Sequence, residues 1–311
     1  MSKLTVFPVP GPGAEDVVVA PDGPDEGAVF TGTEDGAIFR VSHDGRKVDR
    51  VAHTGGRPLG IEYVDGRLLV CDARRGLQWV DPRTGSVDLI TDRVDGTPMR
   101  FCNNAAVAAD GTVWFSDSSL KYGIDKWKDE IVQDTRTGRL LRMDPDGTIT
   151  TMVDGLAFAN GVALAADESY VAVAETGART VVRLWLTGER AGDRELLCSD
   201  LPGYPDNIAR GSDGLIWVTL ASPTDPVVER LQRGPMALRR VATKIPEALQ
   251  PKPKQSVRVQ AYDDTGRLVH DVDVAAEDRG SPYHMVTGVR EHEGRVWMGS
   301  LHEPAIALYQ L

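Results

Sequence analysis

Asn160 stands in the segment LAFANGVALAADESYVAVAET, at the mouth of a strand otherwise built from apolar side chains. A carboxamide buried there needs a partner, because an unpaired polar group taken out of water costs roughly 2–7 kcal/mol. Phrases of the same kind place Glu15 before VVVA, Asn103 or Asn104 before AAVAADG, and Asp206 with Asn207 before IARGSDG. Leu59 and the stretch Met285–Thr287 hold the matching place in two further phrases. Four of the six phrases therefore offer a side-chain oxygen, and none offers His or Cys. Converging oxygens of this type suit a hard cation, calcium or magnesium. Several carboxamides at once suit calcium's flexible, ligand-rich shell better than the magnesium octahedron. Asn and Asp also satisfy backbone groups at turns and caps. Four of them in one register of a repeat favour a shared ligand.

The elements that must position these residues are short strands in a repeat. Asp-Gly, which supplies the positive φ angles of tight hairpins, occurs nine times, from Asp22-Gly23 to Asp213-Gly214. PLGIEYVDG, RLLVCDARRG, LQWVDPRTG and SVDLITD show one complete unit of four strands in succession. The phrase restarts at CNNAAVAADG, FANGVALAADESY and PDNIARGSDG; EDVVVAPDG opens the first copy and MVTGVREHEG the last. Six units of four strands, spaced by roughly 45 residues, predict an all-β fold, a six-bladed β-propeller with four antiparallel strands per blade. The last unit holds three strands before the chain stops, so the N-terminal LTVFPVP is expected to supply the fourth and close the ring. The reading is one propeller domain over residues 1–311.

Two stretches interrupt the rhythm. Lys121–Thr137 separates the second and third strands of unit three, and Asp225–Gln255 interrupts unit five. Within the latter, PMALRRVATKI puts Leu238, Val241 and Ile245 on one helical face, which predicts a short helix lying over one end of the ring as a lid. Its arginines and lysines offer an alternative contact with an anionic membrane or partner.

Bulk properties bound the function. With 41% hydrophobic and 26% charged residues the chain is globular in composition, and its formal charge of −11 argues against nucleic acid as a partner. No run approaches the ~18 apolar residues of a membrane span, and the N-terminus lacks a signal-peptide core. Cys71, Cys102 and Cys198 are an odd, widely spaced set without a CxxC pair. They fit a reducing, cytoplasmic setting and give no thiolate metal site.

Taken together, GAEDVVV, NNAAVAADGTVWFSDSS, FANGVALAADESYVAVAET, LPGYPDNIARGSDGLIWV and VTGVREHEGRVWMGSLH resemble the strictosidine synthase-like branch of the calcium-dependent six-bladed propellers. That superfamily also holds the gluconolactonases (the SMP-30 group), the paraoxonases and diisopropylfluorophosphatase. The resemblance runs through nearly the whole chain in order. It implies a calcium ion in the central channel held by Glu15, Asn103, Asn160 and Asp206, with Mg2+, Mn2+ or Zn2+ as the alternative ions. Asn104 and Asn207 lie beside that set. Asn104 stands where many relatives carry Asp, which removes a charge from a deeper second metal position.

The specialised chemistries of the superfamily do not carry over. The glutamate base of the plant synthases falls on Thr287, and the paraoxonase-type histidine of blade two falls near Leu59; neither residue can do that work. Leu59, Met285 and Thr287 are instead expected to face the substrate. What remains is metal-assisted hydrolysis of a small lactone or ester, with Asp206 or Glu15 as general base and His284 and His302 as further candidates. Two rivals stand beside it: a bond-forming enzyme of the strictosidine synthase-like type, and a non-catalytic binding propeller with a structural metal. Glu62 and Asp117 read as hydrogen-bonding residues of the blades.

Overall fold

Each repeat phrase folds as one four-stranded antiparallel sheet. In the computed structural model, which describes residues 4–245, 254–274 and 283–311, six such sheets form a six-bladed β-propeller. Their first strands are Val17–Val19, Pro58–Val64, Cys102–Val107, Ala159–Leu164, Gly203–Arg210 and Val286–His292. Leu4–Pro8 pairs antiparallel with Ala305–Gln310 and becomes the fourth strand of blade six, as the sequence predicts. First and last elements thereby share one sheet, and the ring has no open seam. In all nine Asp-Gly pairs the glycine adopts a positive φ, between 70° and 98°, as hairpin turns demand.

The core is distributed around the ring. Six apolar clusters sit one between each pair of adjacent blades, for example Leu69, Cys71 and Leu77 of blade two against Cys102, Ala105 and Phe115 of blade three. A strand covered by a neighbouring blade on both faces reads as a continuous apolar run, and Tyr170–Glu175 is buried at every position. The outermost strands face water; Val87–Thr91 has no fully buried residue. Burying each large side chain contributes about 1.5–3 kcal/mol, so the blade interfaces carry the stability that fixes the channel.

Two acids of the blades hydrogen-bond as expected, Asp117 within blade three and Glu62 from blade two across to blade six. Asp117 accepts from Phe101 N and pairs with Arg139 at 2.7 Å, and Glu62 pairs with Arg290 at 2.5 Å.

The interruptions are helical, and more so than the sequence predicts. Blade five inserts two helices where one was expected, and blade three adds another. They are α1 (Trp127–Gln133), α2 (Pro226–Gln232) and α3 (Met236–Ala242). Side chains tie the three together: Gln133 Nε2 donates to Thr243 Oγ1 at 3.0 Å, Gln232 Nε2 to Ile131 O at 2.8 Å, and Arg239 Nη1 to Gln133 O at 3.0 Å. Leu238 and Val241 do not face the ring. They are 58% and 63% exposed, whereas Ala242, Thr243 and Ile245 turn toward the channel mouth. Among the described residues no helix is long and apolar enough to cross a membrane.

Candidate metal centre and cavity

Register shifts at the inner strands position the site. In five blades the pairing of the first strand to the second slips across a dipeptide: Leu59-Gly60, Asn103-Asn104, Asn160-Gly161, Asp206-Asn207 and Thr287-Gly288. Glu15-Asp16 occupies the corresponding place before Val17, with Glu15 N bonded to Gly32 O. Bulges of this kind re-aim side chains next to functional sites. Here they make two stacked layers, one from the first residue of each pair and one from the second.

The first layer opens on a cavity. Glu15, Leu59, Asn103, Asn160 and Asp206 all line it. Asn103 donates its Nδ2 to Ser118 Oγ at 2.9 Å, and Asn160 its Nδ2 to Thr176 Oγ1 at 3.1 Å. Their amide oxygens are left buried without a hydrogen-bond partner. Glu15 is fixed from the side by Asn207 Nδ2, 3.2 Å from Oε2. Burial pushes the Glu15 carboxyl well above the usual carboxylate range, and the nearby carboxylates of Asp206 and Asp16 push it further. Burial likewise raises Asp206 to about 7. Two orphaned amide oxygens and two carboxylates costly to ionise alone form a donor set that a divalent cation would complete. Among the described residues no group of three His, Cys, Asp or Glu could hold a metal, so any cation site here draws on carboxamides.

The second layer is largely bonded within itself, although Asn207 Oδ1 is buried without a hydrogen-bond partner. Asp16 Oδ2 accepts from Ile61 N and from Asn104 Nδ2, each at 3.2 Å, and Asn104 Oδ1 accepts from Val162 N at 2.9 Å. Between these polar residues stand three glycines. A Cβ on Gly60 would lie 2.6 Å from Asn104 Cα, and one on Gly288 2.5 Å from Asp16 Cα. Only glycine lets the inner strands approach so closely. Polar residue and glycine alternate around the ring, so that a six-bladed ring carries a threefold pattern at this depth. Asp16 belongs to this layer. Burial raises it to about 7, with Arg290 holding it down.

Above the first layer the wall is apolar. Phe101, Phe158, Tyr204 and Met285 each stand two residues ahead of Asn103, Asn160, Asp206 and Thr287, and all four line the cavity. Phe101 and Phe158 meet edge to face, with centroids 5.3 Å apart and an interplanar angle of 89°. Phe158 and Met285 hold left-handed backbone, at φ 61° and 52°. For bulky residues this stores about 1–3 kcal/mol each, a cost the surrounding packing must offset. The roof comes from the insertions, through Trp127 and Ile131 of α1 and Val228 and Leu231 of α2.

Not every expected residue reaches the cavity. Thr287 is fully buried and donates Oγ1 to Glu15 O at 2.8 Å; it holds the loop of Glu15 and does not line the cavity. Neither His284 nor His302 is among the described cavity-lining residues. His284 places Nδ1 2.8 Å from Glu303 Oε1 and Nε2 2.9 Å from the Gln255 amide. His302 is pushed below the usual histidine range by desolvation and by Arg57. Leu59 and Met285 do line the wall, whereas Asn104 and Asn207 lie in the layer beneath. Asp129, a residue that no repeat register singles out, also lines the cavity from α1, with its carboxyl raised by desolvation.

A family model described as "SMP-30/Gluconolactonase/LRE-like region" matches residues 22–246. The chain belongs to the SMP-30/gluconolactonase/LRE-like family. It is also similar to protein STRICTOSIDINE SYNTHASE-LIKE 10 of Arabidopsis thaliana, at 32% identity over 83% of this chain and 71% of that one. Among solved structures, a gluconolactonase from Xanthomonas campestris superposes with a TM-score of 0.70 at 18% identity, covering 99% of this chain and 89% of the other. Regucalcin from Agrobacterium tumefaciens, described as a calcium-binding protein, does so with a TM-score of 0.62 at 15% identity over 98% and 95%. At such identities the superpositions show the shared fold, which in this family is the six-bladed propeller described above.

Proposed function

We propose that this protein is a calcium-dependent hydrolase of lactones or esters, with Glu15, Asn103, Asn160 and Asp206 holding the cation at the cavity floor. The observation that carries the reading is the pair of buried, unpartnered oxygens Asn103 Oδ1 and Asn160 Oδ1, each aimed by its own Nδ2 bonding to a hydroxyl behind it. Supporting residues that orient a ligand in this way typically accompany metal sites. The calcium-binding description of the regucalcin neighbour and the gluconolactonase description of the other point the same way.

A calcium ion bound there supplies a Lewis acid that polarises a carbonyl oxygen. The chain does the rest. Glu15, pinned by Asn207 and fully desolvated, serves as a charged ligand only. Asp206 is partly exposed to the cavity and is the carboxylate placed to take a proton from an incoming water. The helical roof limits the water that enters. Bond-forming chemistry of the strictosidine synthase type is the weaker reading, because the position of its base is Thr287, whose hydroxyl is spent on Glu15 O.

The test is a screen of lactones, aryl esters and amine–aldehyde pairs, with products identified, with calcium and after chelation. Calcium-dependent hydrolysis of at least one lactone or ester is the expected result. Condensation products alone, or no turnover of any substrate by protein shown to bind calcium, would overturn the proposal.

A further inference from the structure

Most of the surface above the oxygen-lined floor is apolar and selects against a sugar. The cavity, about 220 Å3, is walled by the aromatic and methionine collar and roofed by α1 and α2. Leu59, Phe101, Phe158 and Ile131 belong to one continuous apolar cluster, with Trp127 and Val228 packed on it. Of the polar side chains that line the cavity above the floor, three are spent on the protein itself, while Lys128, Asp129, Ser222 and Lys254 also border a lining that is otherwise mostly apolar. Thr176 Oγ1 accepts from Asn160, Thr243 Oγ1 is engaged by Gln133 and by Arg240 O, and Asp225 caps α2 through Val227 N and Val228 N. A polyhydroxylated lactone would lose its hydration on entry against a mostly apolar lining, a cost levied for each hydroxyl left unpaired. An apolar body would displace only water.

We infer that the substrate is an apolar lactone or ester, its carbonyl set down on the floor and its alkyl or aryl body enclosed by Phe101, Phe158, Tyr204, Trp127, Val228 and Leu231. This deepens the hydrolase reading and rests on it. It separates the chain from a sugar-lactone enzyme of the same fold. The helical insertions make up half of the enclosure, so specificity resides in segments that lie outside the blade repeat.

The experiment is a series of δ-lactones with side chains from none to heptyl, set against glucono-δ-lactone, at saturating calcium. Each added methylene should raise kcat/KM about fourfold until the cavity is full, as expected for burying one CH2. Glucono-δ-lactone should fall at least ~100-fold below the best member. In parallel, the matching alkyl δ-lactams, which resist hydrolysis, are titrated calorimetrically with and without chelator. Their affinity should climb with chain length in both conditions. The variant Leu231→Asp should cut the ratio of heptyl to unsubstituted turnover about tenfold or more, and Leu231→Met should restore it.

A flat series, or glucono-δ-lactone as the best substrate, overturns the apolar assignment while leaving hydrolysis standing. Lactams that bind with rising affinity, in protein that turns over no lactone or ester, overturn the hydrolase reading while leaving the apolar site standing. Lactams whose affinity ignores chain length overturn the apolar site directly.

Discussion

The two layers of the channel are built from neighbouring residues in one repeat, yet they meet opposite ends. In the second layer Asp16 and Asn104 spend their oxygens on backbone N–H groups and on each other, with glycines between them. In the first layer Asn103 and Asn160 spend only their N–H groups, and the oxygens stay unpaired. A polar ring whose oxygens are mostly bonded holds blades together, with Asn207 Oδ1 the exception here; the acceptors left over in the first layer are those a cation would use. Asn104 has both ends of its amide occupied, whereas Asn103 and Asn160 have only the nitrogen occupied.

The sharpest way to break this contrast is steric. Gly161 belongs to the second layer, and a Cβ there would overlap Ile208 N, a backbone atom that cannot swing aside. Gly161→Ala should cost more than about 4 kcal/mol, in the range of rare, severe substitutions, and should yield little soluble protein. Expression near wild-type levels with an unchanged melting temperature would show that the inner strands are not tightly apposed.

Next in size is the charge of the first layer. Glu15→Gln keeps the shape and removes a formal charge. Calorimetric calcium affinity should fall by more than about 100-fold, the upper end of what losing even a supporting residue costs. The fold should survive, since burial penalises the Glu15 charge in metal-free protein. Asn104→Ala is the reciprocal experiment in the second layer. It strips Val162 N of its acceptor and Asp16 of one donor. The expected loss is about 2–3 kcal/mol in denaturant unfolding, with calcium affinity nearly unchanged. Calcium affinity falling as far as in Glu15→Gln would dissolve the distinction between the layers.

Much of this geometry was readable in the sequence because a repeat makes register visible. Aligning first strands brings Glu15, Asn103, Asn160 and Asp206 to one height without any knowledge of pairing. The aromatic collar was equally available, since Phe101, Phe158 and Tyr204 share a position two residues earlier. So was α1, where Ile124, Trp127 and Ile131 recur at helical spacing. Asp16 was not legible as a channel residue. It follows Glu15 directly, and in a regular strand the two would point to opposite faces; only a disturbed register turns both inward. The orientation of α3 was also beyond reach. Periodicity identifies an apolar stripe at Leu238 and Val241, but not the direction it faces, which α1 and α2 decide by packing. His284 and His302 have suitable chemistry, but proximity in sequence to Met285 and Leu301 does not put their rings among the cavity-lining residues.

The smallest expected effect is the most diagnostic of how the layers share charge. Without a cation, Glu15, Asp16 and Asp206 all have folded-state pKa values above their unfolded ones, the last two near 7, with desolvation the largest cause. Between about pH 4 and 7 the folded protein then binds more protons than the unfolded chain, so unfolding free energy falls as pH rises through that window. Surface acids such as Glu195, held low by Arg190, act in the opposite sense below their unfolded value, outside the window; His302, held low by desolvation, opposes the trend within it as one group against three. A cation in the first layer reverses the sign, because it favours the ionised carboxylates and must displace their protons to bind. Chelated protein should therefore lose a few degrees of melting temperature between pH 5 and 7.5, while calcium-saturated protein holds or gains. The stabilisation by calcium should widen steadily over that range. A calcium-induced shift independent of pH would mean that the cation sits away from Glu15 and Asp206, and that the buried acids of both layers are held by the fold alone.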